Sequence, residues 1–273
     1  MAIYSTFAIA PSLNTLQLSL LEWDGVQAPT WVGLDNYAEI LQDPALYNSV
    51  LHALALIIFF SLIPVCVGLV MTGLLMGRIR RGMTFFRTVF FLPQVLPLVA
   101  VGVTWRWLYN DTGLINQFLE TIGLGSVTRP WLGDFDLALV ALGLIGTWTM
   151  SGLCMMLFLS GAQRIDKALY EAATLDGAGP LRQFRSITVP GVRKEITIAA
   201  VITTIAALAS FDLVFVTTNG GPADQTTVPA LLVYRLAFNQ GEIGTASALA
   251  VTLTALVVLF VTVIRRLAKE GDA

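Results

Sequence analysis

The chain has 273 residues, of which 56% are hydrophobic and 12% are charged, and its formal net charge is −2. A soluble domain carries about 25% charged residues, so this composition excludes an ordinary soluble protein and predicts an integral membrane protein. The two cysteines, Cys66 and Cys154, both lie inside apolar runs. That placement favours small core side chains over a disulfide or a metal site.

Six apolar runs are long enough to cross a hydrocarbon core, which needs about 20 helical residues. They are the runs 2–21, 50–77, 88–109, 137–161, 196–218 and 244–264. The runs are too long for barrel strands and lack period-two alternation. The predicted fold is therefore all-α, a polytopic helical membrane protein with six transmembrane helices in a single domain, 1–273.

The first run is the weakest, because it contains Pro11, Asn14 and Gln17 and has no basic residue at its start. We expect it to be the second half of a longer helix. A cleaved signal peptide is the alternative. The absence of a basic n-region and of a small-residue cleavage site disfavours it.

Along the chain, segments with several basic residues alternate with segments that have few or none. Segment 22–49 has five carboxylates and no Lys or Arg, and segment 110–136 has one base, Arg129. Three other segments are basic: Arg78, Arg80, Arg81 and Arg87 in 78–87; Arg164, Lys167, Arg182, Arg185, Arg193 and Lys194 in 162–195; and Arg265, Arg266 and Lys269 in the tail. By the positive-inside rule, both termini and segment 162–195 are expected in the cytoplasm.

Segment 162–195 has the pattern of a helix-turn-helix. Asp166 is the predicted N-cap of a helix over 167–175, and Gly177 is the predicted left-handed stop. Gly179 and Pro180 are expected to start a second short helix, which Pro190 is expected to end. The segment cannot span a membrane, so it is predicted to be a cytoplasmic hairpin.

The turn of this hairpin is rich in small residues. Ala172, Ala173, Gly177 and Ala178 leave the backbone open to close approach. An amphipathic helix pair of this kind is predicted to dock into a groove on another protein.

Two charges lie inside the apolar runs, Arg106 and Asp212. Helix counting places them at similar depth, so they are expected to form an ion pair, although Arg106 also fits a snorkelling position within an aromatic belt. Asp212 fits either a structural hydrogen bond or a place on a solute path. The stretch "TTNGGPADQTT" that follows, 217–227, fits either a turn or a pore mouth that contacts the solute or a partner protein.

The stretch "EAATLDGAGPLRQFRSITVP" resembles the EAA loop of permease subunits in binding-protein-dependent ATP-binding-cassette importers. The matching positions are Glu171, Ala172, Ala173, Gly177, Ile187 and Pro190, with Val189 where the family usually has Leu. "VGLDNY", "FFRTVFFLPQVLP", "GLINQFLETIGL" and "FDLVFVTTNGGPADQTT" are similar to the sugar-importer branch. The N-terminus departs from the family, which has a basic tail and several more apolar residues before the equivalent of Pro11.

The resemblance implies a permease subunit that forms the translocation path for a sugar or polyol in a prokaryotic cell membrane. It implies as partners two ATPase subunits, a second permease subunit expected to be a different chain, and an extracytoplasmic solute-binding protein. No catalytic residue, cofactor, metal or nucleic acid is expected. The ATPase-coupling residues would be Glu171, Ala172, Ala173, Asp176, Gly177, Ala178, Phe184, Ile187 and Pro190, and the substrate-path residues Asp212, Asn219, Gly220 and Gly221.

Alternative functions are an amino-acid or peptide importer, an ion-coupled carrier and an intramembrane hydrolase. A carrier would show inverted repeats with buried ionisable groups near the midplane, and a hydrolase would need a nucleophile and base or a metal. Neither pattern is visible. The chain also has no phosphate-binding loop, because Lys167, Lys194 and Lys269 are followed by Ala, Glu and Glu. ATP hydrolysis is therefore expected in a partner.

Overall fold

The computed structural model describes residues 2–75 and 82–270. The last two residues of the predicted run 50–77 lie outside the described residues. So do Arg78, Arg80 and Arg81 of the basic segment, as well as residues 1 and 271–273 of the predicted domain.

The described chain is mostly helical, which confirms the all-α prediction. One short antiparallel pair, Leu21–Glu22 with Thr30–Trp31, interrupts the helices. The α-helices are Ala2–Tyr4, Ala10–Leu18, Asp35–Gln42, Pro44–Ile57, Ile63–Leu75, Met83–Val95, Leu98–Leu108, Leu114–Thr121, Ala138–Ala162, Lys167–Leu175, Pro180–Gln183, Val189–Gly191, Arg193–Leu208, Asp212–Thr217, Pro229–Tyr234 and Ile243–Glu270. Four π-helical segments, Ser5–Ile9, Ile58–Leu62, Phe184–Thr188 and Arg235–Gln240, and the 3₁₀ turn Gly125–Val127 complete the elements.

Three of the four π-helical segments end two residues before a proline. They precede Pro11, Pro64 and Pro190, and in each case the helix continues through the proline. A proline inside an α-helix removes a hydrogen bond and clashes with the carbonyl four residues earlier. The wider π turn relieves that clash, so these prolines do not end their helices.

Within the described residues, three helices are long and apolar enough to cross a membrane singly: Pro44–Leu75, Ala138–Ala162 and Ile243–Lys269. They correspond to the predicted runs 50–77, 137–161 and 244–264. The predicted run 88–109 is divided between two helices, Met83–Val95 and Leu98–Leu108, which together are long and apolar enough to span and meet at 100°. The run 196–218 is interrupted between Leu208 and Asp212.

The two breaks have different local causes. At the first, Pro97 forces the preceding residue out of the helical region, and Leu96 has the extended angles φ −74° and ψ 139°. At the second there is no proline. Phe211 leaves the helical region at φ −125°, and the buried Ser210 hydroxyl has no hydrogen-bond partner in the described structure.

The chain divides into two compact units. The first comprises Met1–Ala55, Gly102–Leu139 and Leu208–Leu259. Within it the "VGLDNY" stretch is held by Asn36, whose buried side-chain amide donates hydrogen bonds to the carbonyls of Ser19 and Leu21, each at 2.9 Å. Tyr37 adds a hydroxyl contact of 2.7 Å to Ser19. This stretch thus fastens the short strand pair to the helix that follows.

The second unit comprises Leu56–Val101, Val140–Ala207 and Phe260–Ala273. Its helices approach each other at glycines on the helix Ala138–Ala162 and its neighbour. A methyl group added at Gly68 would lie 2.7 Å from Cβ of Cys154, and Gly143 and Gly146 lie against the rings of Phe59 and Phe60. Small residues at helix contacts are typical of membrane proteins, in which close packing replaces the hydrophobic effect between helices.

Candidate functional site: the helical hairpin

The first helix of the predicted hairpin begins and ends where its capping residues indicate. It runs Lys167–Leu175, and the Asp166 carboxylate accepts a hydrogen bond of 3.0 Å from the backbone N–H of Ala168. Gly177 has φ +74°. Its N–H donates to Thr174 and the N–H of Ala178 donates to Ala173, the two bonds of a Schellman motif. The predicted N-cap and left-handed stop are confirmed.

The second helix begins at Pro180 as predicted, but it does not end at Pro190. Pro180–Gln183, the π turn Phe184–Thr188 and Val189–Gly191 form one continuous helical segment. The prediction is wrong because the π turn accommodates the proline ring. Pro190 is therefore an exposed residue within the last turn rather than the residue that stops the helix.

Two polar contacts tie the hairpin helices together. The hydroxyls of Tyr170 and Thr188 are 3.0 Å apart. The Gln183 amide donates to the Thr174 hydroxyl and to the Ala178 carbonyl, both at 2.9 Å. Sequence reasoning missed these residues, because their pairing depends on how the two helices cross. The contacts make the hairpin a stiff element rather than a linker.

The outer face of the hairpin is open. Among the predicted coupling residues, Glu171, Ala172, Asp176, Gly177 and Pro190 are exposed, and Ala173, Ala178, Phe184 and Ile187 are partly buried. Three leucines outside that set are also exposed: Leu175 at 90%, Leu181 at 72% and Leu169 at 54%. The hairpin therefore combines exposed polar residues with exposed apolar side chains on its surface.

Phe184 points back into the protein. Its ring covers Gly73, where an added methyl group would lie 2.9 Å from two ring carbons. Gly73 lies in the apolar helix Ile63–Leu75. Phe184 therefore joins the hairpin to a membrane helix, and only part of the predicted set faces outward.

The predicted path residues lie in the other compact unit. Asp212 is exposed at the start of Asp212–Thr217, and within the described residues no ion pair joins it to Arg106. The expected pair is therefore wrong. The reason is the break at Ser210 and Phe211, since depths counted along a continuous helix do not apply beyond it.

Asn219, Gly220 and Gly221 belong to a rigid loop. Asn219 has φ +49° and Gly220 has φ +89°. The carbonyls of Gly220 and Gly221 accept hydrogen bonds from Thr226, and that of Asn219 accepts one of 2.7 Å from Arg235. Arg235 also pairs with Asp224 at 2.6 Å. Hydrogen bonds from Arg235 and Thr227 hold the pKa of Asp224 below its usual value.

Four aromatic rings form a row in the same compact unit as Asp212. Phe211 and Phe215 stack with centroids 5.1 Å apart, and Tyr234 lies 5.3 Å and 5.1 Å from them. Phe238 extends the row at 5.2 Å and is 76% exposed. Sequence reasoning missed this row because Tyr234 and Phe238 come from a later helix. The row offers a flat apolar surface that begins at the residue before Asp212.

Within the described residues, no group of three or more His, Cys, Asp or Glu side chains is placed to hold a metal ion.

Comparison with known proteins identifies the family to which this chain belongs. Residues 65–270 match the family model described as a binding-protein-dependent transport system inner membrane component. The chain is 31% identical over 287 residues to the diacetylchitobiose uptake system permease protein NgcF of Streptomyces coelicolor, covering 100% of this chain and 81% of that protein. It is 30% identical over 266 residues to the trehalose/maltose transport system permease protein MalF of Thermococcus litoralis, covering 97% and 88%.

The fold is similar to a chain in the crystal structure of a bacterial importer of the acidic polysaccharide alginate. The TM-score is 0.83 at 20% identity, and the match covers 98% of this chain and 92% of that chain. At this identity the likeness concerns the fold. Because the family model spans most of the chain and two full-length relatives agree with it, this chain belongs to the family of binding-protein-dependent transport system inner membrane components.

Proposed function

We propose that this chain is the transmembrane permease subunit of an ATP-driven importer for a sugar or sugar-like solute. The main structural support is the exposed, internally braced hairpin, which is built to receive a partner protein. Two ATPase subunits would bind to a pair of permease subunits, of which this chain is one. An extracytoplasmic binding protein would deliver the solute. Because the chain has no phosphate-binding loop, ATP hydrolysis is assigned to the partner.

Sugar is the preferred solute class because two relatives that match nearly the whole chain are named as permeases for diacetylchitobiose and for trehalose or maltose. The aromatic row of Phe211, Phe215, Tyr234 and Phe238 supports the same class. The C–H face of a sugar ring packs on aromatic rings, and sugar hydroxyls donate hydrogen bonds to carboxylates. An amino-acid or peptide importer is the alternative, for which the chain offers no comparable feature.

The termini and the hairpin are proposed to lie in the cytoplasm, and segment 110–136 outside. The alternation of basic and base-poor segments supports this orientation. The outer mouth would then be formed by Asn219, Gly220 and Gly221 as a fixed loop, with Asp212 beside it. Asp212 would be the group that meets the solute.

A cysteine-labelling experiment tests the orientation. With Cys66 and Cys154 replaced by alanine, Ser126→Cys should react with an impermeant thiol reagent added to intact cells, because Ser126 is exposed in the outer segment. Lys269→Cys, exposed near the other end, should react only after permeabilisation. The reverse pattern would contradict the orientation.

Asp212→Asn tests the path. Loss of the carboxylate should raise the KM for uptake about tenfold, since hydrogen bonds to a charged group are worth about 1.5–3 kcal/mol. Uptake would be measured with labelled diacetylchitobiose, maltose and trehalose, using whichever the wild type transports. Asp111→Asn, an exposed carboxylate in the outer segment, is the matched control. An unchanged KM for Asp212→Asn would remove this residue from the path.

Variants in the hairpin test the coupling function. Gly177→Val should reduce uptake and ATPase binding strongly, because a β-branched residue at φ +74° is strained by roughly 1–3 kcal/mol and projects from the docking face. Glu171→Ala should have a smaller effect, through loss of a charge-assisted bond to the ATPase. Uptake and copurification of the ATPase would be measured in parallel.

Gly179→Ala is the matched control for the hairpin. Gly179 has φ −68°, and nothing lies within 4 Å of an added methyl group, so the variant should keep wild-type uptake. Normal uptake by Gly177→Val at normal expression would show that this segment is an ordinary linker.

A further inference from the structure

The hairpin joins the membrane helices through a narrow neck. The chain enters along 161–165, at the end of Ala138–Ala162, and leaves along 191–195, at the start of Arg193–Leu208. Two reciprocal contacts close the neck. A methyl group added at Gly161 would lie 2.6 Å from the carboxyl carbon of Glu195, and one added at Gly191 would lie 2.5 Å from Cδ1 of Ile165. Each side thus places a glycine against a larger side chain of the other.

Glu195 is the unusual member of this neck. It is 9% exposed, and its carboxylate lies against the C-terminal turn of Ala138–Ala162. The negative end of that helix's dipole disfavours a carboxylate there, whereas the positive end of Arg193–Leu208, in whose first turn Glu195 lies, favours it. Arg164, just beyond that helix end, donates to the Glu195 carboxylate and forms an ion pair with it. The positive charge of Arg164 therefore offsets both the negative charge of the buried Glu195 carboxylate and the negative dipole end of the helix Ala138–Ala162.

The neck is continuous with the contacts inside the hairpin. Above it, Tyr170 and Thr188 pair and Gln183 bonds across the turn. Phe184 fixes the hairpin to Gly73 of a third helix. A push on the tip is then carried by one stiff body into three apolar helices, provided the neck does not open.

We propose that the Arg164–Glu195 pair is a positioning clamp that keeps the neck closed while the hairpin is pushed by the ATPase. This role rests on the proposed function. In this role Glu195 and Arg164 act through the hairpin, as positioning residues. The pair sets how much of the ATPase movement reaches the membrane helices. Loss of the clamp lets the hairpin rotate on its neck, so ATP is hydrolysed with little transport.

The test uses Glu195→Gln, Arg164→Gln and the charge exchange Arg164→Glu with Glu195→Arg, each in the reconstituted complex of permease, ATPase and binding protein. Spin labels are attached at Leu175→Cys and Ile198→Cys, two exposed positions, in a protein from which the native cysteines have been removed. They report the distance between the hairpin tip and the helix Arg193–Leu208. Arg129→Gln, which breaks the 3.6 Å pair with Asp134 in the outer segment, is the control.

The single variants should bind the ATPase and hydrolyse ATP, but give a broadened distance distribution and at least about fivefold less uptake per ATP, the lower end of usual coupling factors. The exchange should recover at least half of the coupling, limited by its unfavourable helix-end charges. The control should behave like the wild type. Uptake is measured with the labelled disaccharide that the wild type transports.

Two results would overturn the clamp. One is wild-type uptake per ATP and a narrow distance distribution in both single variants. The other is equal loss of coupling in the exchange and the singles, which would show that these positions matter for packing and not through their pairing. If the wild-type permease binds no ATPase at all, the proposed function fails. The distance measurement on the permease alone still shows whether the pair holds the neck.

Discussion

Close backbone contact at glycines is the interaction on which this structure depends. Between helices in an apolar medium, burying side chains gains little, so association relies on packing and on satisfied hydrogen bonds. Gly68, Gly143 and Gly146 allow the helix Ala138–Ala162 and its neighbour to approach to contact distance. The same device recurs at Gly73, Gly161 and Gly191, where the hairpin meets the helices. One packing rule thus serves both the apolar helices and the hairpin that is proposed to receive the ATPase.

Proline has different effects at different places in this chain. At Pro11, Pro64 and Pro190 a π turn precedes the proline and the helix continues, and Pro93 lies inside the helix Met83–Val95 without such a turn. At Pro97 the chain turns by 100°. The second break, at Ser210 and Phe211, needs no proline and leaves a buried hydroxyl without a partner. Breaks of this kind place polar groups inside an otherwise apolar region, which is where a solute path needs them.

Local signals predicted the hairpin well because caps and glycine stops act within a few residues. Asp166, Gly177 and Pro180 lie where their side chains and backbone preferences require. Contacts between distant segments could not be predicted in this way. The residues that Glu195, Phe184 and Tyr170 contact depend on how helices cross, so no short-range sequence pattern predicts these contacts. The wrong pairing of Arg106 with Asp212 has the same origin, because it assumed an unbroken helix.

The loop after the second break shows the same limit. Its Asn-Gly and Gly-Pro dipeptides predicted a turn, and the structure contains a hydrogen-bonded turn there. An ion pair between Asp224 and Arg235 stabilises the loop. Arg235 follows Asp224 by 11 residues and lies in a later helical segment. The aromatic row depends on the same later helix. The geometry of this loop therefore depends on tertiary placement more than on the motif itself.

The central claim is that the hairpin tip meets an ATPase, and site-specific photocrosslinking tests it most directly. A photoreactive amino acid replaces Leu175, which is 90% exposed at the tip, and in a second strain Leu124, which is 46% exposed in the segment 110–136 that is proposed to lie outside. Irradiation of intact cells should join position 175 to an ATP-binding-cassette subunit, identified by mass spectrometry, and position 124 should give no such adduct. A tip that crosslinks only to lipid, or an ATPase adduct at position 124 instead, would contradict the account.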